Sequence, residues 1–279
     1  MKLIDYKLQC KSRSDKFYLI PIGDIHYGTK NCDVKKLDEI IQWIAITPNA
    51  RWVGMGDAAE FINMSDTRFD PQNLAPELQG HLDNLVHHQI MQISRKLNVI
   101  RHKCIGLLEG NHEYSVKNKY HINPTDILAD RLETVNLSYN CIVRINFDYK
   151  GGTPTRHVLV YASHGFGGGR KTGSKVNNLV DISQSFEADI YLVGHVHDKV
   201  GIDRERLEVA TKGELKLFAR KKVFALTGSF YKTYQKDSSS YGERAGYSPN
   251  PTGVVKITIE PFRHTTHSGP NPAHIHISE

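Results

Sequence analysis

The sequence has few cysteines, no long apolar run and no strong excess of one charge. Its four cysteines, Cys10, Cys32, Cys104 and Cys141, are scattered and form no CxxC pair, so neither a disulfide framework nor a thiolate zinc site is indicated. No apolar stretch approaches the ~20 residues that span a bilayer, and residues 1–7 lack the apolar region of a signal peptide. We therefore expect a cytoplasmic protein that makes no membrane contact.

Lysine and arginine exceed aspartate and glutamate by only 36 to 30. This mildly basic surface is compatible with a polyanionic substrate, but charge alone does not identify nucleic acid as that substrate. The composition, 39% hydrophobic and 24% charged, is that of an ordinary globular protein with enough apolar material for a core. We expect one domain over residues 1–279, with a helical insertion at about 61–100, a long loop at about 231–250 and a weakly ordered tail at about 262–279.

Apolar runs and helical periodicity alternate in the first half of the chain. Residues 17–22, 51–55 and 104–108 are short apolar runs that predict buried strands. Between them, residues 37–44 and 85–97 carry apolar side chains at the 3.6-residue period of an amphipathic helix. Strand and helix therefore alternate, which is typical of an α/β fold.

The second half adds further sheet. After a helical patch near 126–132, residues 141–149 and 156–162 alternate in polarity around a glycine- and proline-containing turn, which predicts an antiparallel hairpin. A helix near 176–182 and a strand at 190–193 follow. Together these elements predict an α/β protein with two mixed sheets flanked by helices, a four-layer αββα sandwich.

Five short polar segments follow apolar runs, and they carry the functional signal of the sequence. Carboxylate oxygen, amide oxygen and imidazole nitrogen are ligands that first-row divalent cations accept, and no one segment has enough of them for two ions. Strand ends in α/β sheets meet at a common crevice, so we expect the segments to form a two-metal hydrolase site together. The segments are Gly23-Asp24-Ile25-His26, Gly56-Asp57, Gly110-Asn111-His112-Glu113, Ser163-His164-Gly165 and Gly194-His195-Val196-His197.

The order of these segments resembles the calcineurin-like metallophosphoesterase superfamily, whose pattern is D-x-H, G-D, G-N-H-[DE], a lone His and G-H-x-H. The resemblance covers roughly residues 17–200. It implies a site for two divalent metal ions at the carboxyl ends of strands. In that site the resemblance assigns one ion to Asp24, His26 and His197, the other to Asn111, His164 and His195, and a bridging role to Asp57.

The resemblance also implies a mechanism. Two cations ~3.5–4 Å apart can share a water that is deprotonated near neutral pH, and this metal-bridging hydroxide attacks phosphorus. His112 lies over the leaving group in the superfamily and is the expected general acid. Glu113 and Glu60 are the two candidates for a carboxylate that keeps His112 protonated. We expect Mn²⁺, while iron, zinc and nickel also suit such ligands.

The two residues of the Asp24/His26 pair, like those of the His195/His197 pair, lie two positions apart. A nearly extended backbone would point both side chains of such a pair the same way. Taken singly, each of these polar residues is also compatible with a turn or a buried polar group that binds nothing. The presence of all these possible ligands in one order favours the metal site over that alternative.

The loop at 165–175 is rich in glycine and carries three cations, but it lacks the G-K-[ST] ending of a P-loop. Its Arg170 and Lys171 are candidates for contact with a substrate phosphate. The alternative, equally compatible with the sequence, is a mobile loop with solvated charges.

Three functions remain open from the sequence. The first is a phosphodiesterase or nuclease acting on DNA or RNA, which the aromatic and cationic residues at 230–236 favour, because stacking aromatics beside cations suit single strands. The second is a phosphomonoesterase acting on proteins or small molecules, although the segment 56–61 lacks the arginine that clamps a monoester in the serine/threonine phosphatases. The third is a non-catalytic scaffold stabilised by metals, which the complete ligand set disfavours.

Overall fold

A computed structural model describes residues 1–62, 66, 69–149, 156–169, 171–209, 215–236, 240–263 and 273–278. The strands are β1 (Lys2–Cys10), β2 (Phe17–Ile22), β3 (Ala50–Gly54), β4 (Cys104–Leu107), β5 (Asn140–Tyr149), β6 (Arg156–Ser163), β7 (Ile190–Val193), β8 (Lys199–Val209), β9 (Leu217–Ser229), β10 (Gly253–Val254), β11 (Lys256–Glu260) and β12 (His274–Ser278). The α-helices are α1 (Val34–Ile46), α2 (Leu85–Leu97), α3 (Asn111–Tyr120), α4 (Pro124–Arg131), α5 (Thr172–Ser185) and α6 (Tyr241–Arg244).

The strands form two mixed sheets. The first has the order β1-β5-β6-β7-β9-β10, with β8 also paired to β9, and the second has the order β12-β11-β2-β3-β4. In the second sheet β2, β3 and β4 run parallel, and in the first β6, β7 and β9 do so. The chain is therefore a mixed α/β protein, compatible with an α/β sandwich. The predicted hairpin is confirmed, since β5 and β6 pair antiparallel from Asn140↔Ser163 to Phe147↔Arg156.

The main core lies between the sheets. It joins buried side chains of both, among them Val143 and Val160 from the first sheet and Leu19 and Ile257 from the second. A second cluster packs helices α1, α2 and α4 against β2, β3 and β4, with Trp52 almost fully buried. A third packs α5 against β6, β7 and β9. Each sheet thus buries both faces, which explains why its central strands are continuous apolar runs rather than alternating ones.

Helix α1 shows how the sequence sets the boundaries of an element. It begins where the side chain of Asp33 accepts a hydrogen bond from the backbone N–H of Lys36. At its other end the ammonium group of Lys103 donates to the carbonyls of Ile44, Ala45 and Thr47 at 2.7–3.0 Å. A buried cation therefore satisfies carbonyls that the last helical turn leaves free.

The expected insertion at 61–100 contains three short 3₁₀ turns, at 71–73, 76–78 and 82–84, before helix α2. Among the described residues of the region 231–250, the regular element is the short helix α6. The expectation of a weakly ordered tail is wrong for 274–278, because this stretch is β12 and pairs antiparallel with β11. None of the helices in the described part of the chain has the length and apolar character needed to cross a bilayer.

Candidate metal centre

The five polar segments lie at the carboxyl ends of five strands, as predicted. Those around Asp24 and Asp57 follow β2 and β3, and the segment around Asn111 follows β4 and starts α3. His164 comes directly after β6, and the segment containing His195 follows β7. The two sheets pack so that these ends meet, and the side chains come within contact distance of one another.

The backbone at the site is left-handed rather than extended. The φ angles are 48° at Asp24, 49° at His26, 50° at Asp57, 67° at His195 and 60° at His197. The expectation of extended segments is therefore wrong. A left-handed non-glycine residue costs on the order of 1–3 kcal/mol, and such residues concentrate at functional sites.

Backbone hydrogen bonds hold this strained conformation. The carbonyl of Asp57 accepts from the N–H groups of Ile25 at 2.9 Å and His26 at 3.1 Å. The N–H of Asp24 donates to the carbonyl of Gly56 at 3.0 Å. The first two segments therefore fix each other, and the strain is offset by the surrounding structure.

The first group of candidate ligands is Asp24, His26 and His197. Asp24 is fully buried, and its Oδ2 accepts from the N–H of His195 at 2.9 Å. Its Oδ1 has no hydrogen-bond partner among the described residues and lies 3.4 Å from Nε2 of His197. The Nε2 atoms of His26 and His197 are 3.1 Å apart. Two imidazole nitrogens and an orphaned carboxylate oxygen therefore face one another, which is a donor set that fits a divalent cation.

The second group is Asp57, Asn111, His164 and His195. Oδ1 of Asn111 lies 2.9 Å from both Nε2 of His164 and Nδ1 of His195. Oδ2 of Asp57 lies 3.5 Å from Nε2 of His164 and 4.0 Å from Nε2 of His26. Asp57 therefore stands between the two groups. Each group, Asp24/His26/His197 and Asp57/His164/His195, has its ligand atoms within 4.8 Å of one another and could hold a metal ion.

Asp57 and His164 form a buried pair of opposite charges. Burial opposes ionisation of both, but the charge of His164 stabilises the carboxylate and holds the pKa of Asp57 well below its usual range. Asp57 in turn raises the pKa of His164 to about 10 against the effect of burial. Burial and the charge of His164 lower the pKa of His195. A proton on Nε2 of His164, the nitrogen that faces Asp57, therefore competes with any cation that would bind there.

Glu113 joins two of the segments. Its Oε2 accepts from the N–H groups of Gly110 and Asp57 at 3.0 Å each, and its Oε1 accepts from the N–H of Ala58 at 2.8 Å. These bonds favour the carboxylate, while burial and the charge of Asp57 raise the pKa of Glu113 to about 7. The oxygens that were candidates for a contact with His112 thus bind backbone instead, and they fix the loop that carries Asp57.

Glu60 contacts two histidines in different ways. Its Oε2 lies 2.9 Å from Nδ1 of His26, while its backbone carbonyl makes a short hydrogen bond with Nδ1 of His112. Nε2 of His112 lies 3.9 Å from Oδ2 of Asp57. The sequence pointed to the Glu60 carboxylate as a candidate partner of His112, whereas the structure places that carboxylate on His26 and gives His112 the carbonyl. Spacing alone cannot distinguish side chain from backbone.

A cavity of about 260 Å³ opens above these groups. Its wall includes Tyr231, whose ring centroid is 5.3 Å from that of His26 and 5.8 Å from that of His197. It also includes Lys175, whose Nζ lies 2.8 Å from Oδ1 of Asp198. Lys175 and Asp198 were not predicted as site residues, because neither belongs to a motif.

Of the two residues predicted to contact a substrate phosphate, Arg170 and Lys171, the structure describes one. Arg170 lies outside the described residues. Lys171 is exposed and precedes the first residue of α5. Lys175, one helical turn further on, is the lysine of this loop that lines the cavity among the described residues.

No protein-family model matches this chain, and no curated protein is detectably similar to it in sequence. The resemblance to the metallophosphoesterases therefore stands on the five segments alone. What the structure adds is that four of these segments line one cavity, the fifth places His164 against Asp57 beside it, and three ligand-rich groups lie there: the two described above, and His26/Glu60/His112.

Proposed function

We propose that this chain is a binuclear metal-dependent phosphodiesterase of the calcineurin-like metallophosphoesterase type, with a four-layer αββα architecture. The observation that carries the proposal is the position of Asp57. Its Oδ2 lies between two groups of nitrogen and oxygen donors, 3.5 Å from His164 on one side and 4.0 Å from His26 on the other. A shared carboxylate is what two neighbouring cations need to offset their repulsion.

The donor atoms divide into two sets of ordinary metal ligands. Asp24, His26 and His197 would hold one ion, and Asn111, His164 and His195 the other, with Asp57 between them. Bound divalent ions would supply an activated water and neutralise charge on the phosphoryl group. Manganese is the expected metal, and iron, zinc and nickel suit the same ligands.

In this proposal His112 gives a proton to the leaving oxygen. The Glu60 carbonyl accepts the hydrogen on Nδ1 of His112, which fixes the orientation of the ring. The other nitrogen, Nε2, belongs to a ring that lines the cavity and lies 3.9 Å from Oδ2 of Asp57. A proton on this nitrogen can pass to an oxygen leaving phosphorus in the cavity.

The charges of the cavity favour a diester over a monoester. Among the described lining residues Lys175 is the one lysine, no arginine is present, and Lys175 is already paired with Asp198. A monoester carries a second negative charge, which phosphatases meet with an additional cationic clamp. A diester carries one charge and has a group on each side of phosphorus. The aromatic wall at Tyr231 suits a nucleotide diester, so nucleic acid is the expected substrate class.

The test is hydrolysis of bis-p-nitrophenyl phosphate against p-nitrophenyl phosphate with added Mn²⁺. Wild-type protein is expected to prefer the diester, and Asp57→Asn and His112→Ala to lose this activity. His102→Ala, at an exposed histidine outside the site, is the matched control and is expected to retain it. Labelled single-stranded and double-stranded DNA and RNA then identify the physiological class.

Two outcomes would contradict the proposal. A preference for the monoester would make the chain a phosphatase. Two bound metals with no hydrolysis of any phosphoester would make it a metal-stabilised scaffold.

A further inference from the structure

Strand β1 forms one edge of the first sheet. Within the described part of the chain β5 is the strand that pairs with it, and the parallel register runs without interruption from Lys2↔Cys141 to Cys10↔Tyr149. The strand contains no proline and no bulge. Proteins usually protect long edges with such features, because free N–H and C=O groups pair readily with another strand.

The two faces of β1 differ. Leu8 and Cys10 are buried, and Ile4 and Tyr6 are partly buried against the main core. The alternate residues are exposed: Leu3, Asp5, Lys7 and Gln9. Even-numbered side chains therefore face the core and odd-numbered ones face solvent, as the two-residue period of a strand requires.

This pattern is self-complementary. When a strand pairs antiparallel with its own copy, the two strands are related by a two-fold axis, and facing side chains lie on the same side of the sheet. The axis therefore passes beside one residue, which faces the same residue of the second copy. When all nine residues pair, that residue is Tyr6. Asp5, whose carboxylate already accepts from Arg144 of β5 at 2.5 and 2.7 Å, then also faces Lys7 of the second copy, and the symmetry repeats this opposite-charge pair. On the core face, Ile4 meets Leu8 of the second copy.

Neighbouring registers are disfavoured. Moving the axis to Asp5 sets the two Asp5 carboxylates against each other, and moving it to Lys7 does the same with two ammonium groups. Like charges directly opposite destabilise a strand pair. The charges therefore favour the register centred on Tyr6 over these two neighbours, and it is also the register in which every residue of β1 has a partner.

The charges of strand β8, by contrast, oppose pairing of this strand with its own copy. Full-length self-pairing of Lys199–Val209 would centre on Arg204. This axis would bring two Arg204 side chains together and would set Asp203 against Glu205 of the other copy. The charges of β8 thus discourage self-association, whereas those of β1 permit it.

We propose that two copies of this chain associate through antiparallel pairing of their β1 strands about a two-fold axis at Tyr6. The two first sheets then continue into each other across the axis. A contact formed by one strand pair belongs with the small interfaces, below about 1,200 Å² of buried surface, which form weak or transient complexes. The dimer is therefore expected at micromolar or higher protein concentration, and it does not depend on the proposed activity.

Sedimentation equilibrium of the full chain from about 1 to about 200 µM tests the proposal, since micromolar dissociation constants fall in this range. Wild-type protein is expected to dimerise. Lys7→Glu, which sets a carboxylate against Asp5 of the other copy, is expected to weaken the dimer at least ~tenfold. Lys11→Glu is the matched control, because it makes the same change just beyond the strand, at an exposed residue.

A mixture tests the register itself. Asp5→Lys and Lys7→Glu proteins are each expected to remain largely monomeric, because each variant opposes like charges across the axis. Mixed together they restore two opposite-charge pairs and are expected to form a heterodimer. Thermal melting of each variant checks that it folds. A wild-type monomer at every concentration, a dimer that Lys7→Glu leaves unchanged, or a mixture of folded variants that stays monomeric would overturn the proposal.

Discussion

Oε2 of Glu60 lies 2.9 Å from Nδ1 of His26. This contact leaves Nε2 of His26 as the nitrogen that faces His197, at 3.1 Å. A carboxylate behind a histidine fixes the ring and its tautomer and raises its basicity toward a cation. In the proposed metal site, Glu60 therefore positions His26.

We expect Glu60→Ala to reduce affinity for Mn²⁺ by ~10–100-fold, the usual effect of removing such a carboxylate. Glu60→Gln keeps an oxygen that can accept from Nδ1 and is expected to lose less. Isothermal titration calorimetry measures both, with Glu39→Ala at an exposed position as the control. Because the bond from His112 goes to the Glu60 backbone, it survives in both variants. Equal Mn²⁺ affinity in wild-type and Glu60→Ala protein would refute the positioning role.

His112→Ala is expected to separate catalysis from metal binding. Removing a general acid lowers kcat by ~10²–10⁴-fold. Metal affinity should change little, since the side chain of His112 is outside the two proposed ligand sets. Steady-state kinetics on the diester, combined with metal titration, gives both quantities. A large loss of metal affinity in this variant would instead make His112 a ligand, as its place in the third ligand-rich group with His26 and Glu60 would allow.

Glu113 is expected to matter for stability. Glu113→Ala leaves three backbone N–H groups without this acceptor: those of Gly110 and Asp57, which are buried, and that of Ala58, which is partly buried. Each buried unsatisfied group costs about 1–3 kcal/mol, so we expect a loss of at least about 2 kcal/mol. Urea unfolding of metal-free protein measures it. A loss below about 1 kcal/mol would show that the loop carrying Asp57 relaxes without this carboxylate.

The pH dependence of the metal-free protein follows from His164. Its pKa rises from 6.5 to about 10 in the folded chain. The folded state therefore binds this proton more tightly, and the resulting stabilisation is complete below about pH 6.5 and lost as the pH rises to about 10. We expect Tm in the presence of a chelator to fall across this window, and to fall less in His164→Asn. An identical slope in both proteins would assign the pH dependence to other groups.

Metal affinity should move in the opposite direction over the same pH window. A cation displaces the proton from His164, so binding releases a proton and tightens as the pH rises. Calorimetry in buffers of different ionisation enthalpy counts the protons released. Absence of proton release at pH 7.5 would contradict the buried charge pair of Asp57 and His164 in the metal-free chain.

The sequence by itself determined which strands carry the site. The runs that predicted β2, β3 and β4 are buried on both faces, so their apolar character is continuous and easily detected. The polar segments that follow them were found for the same reason. Strand β12 was missed although His274, Ile275, His276 and Ile277 alternate in polarity, because a proline- and glycine-rich stretch precedes it.

Only the tertiary structure decided how the polar residues meet. Left-handed φ angles at Asp24 and His26 depend on hydrogen bonds to the distant Asp57 segment, which no local pattern encodes. The same holds for Glu60, whose side chain and carbonyl serve different histidines. Residue type and spacing along a strand are local properties and can be derived from the sequence. Which atom contacts which is set by the packing of two sheets whose strands are far apart in the chain.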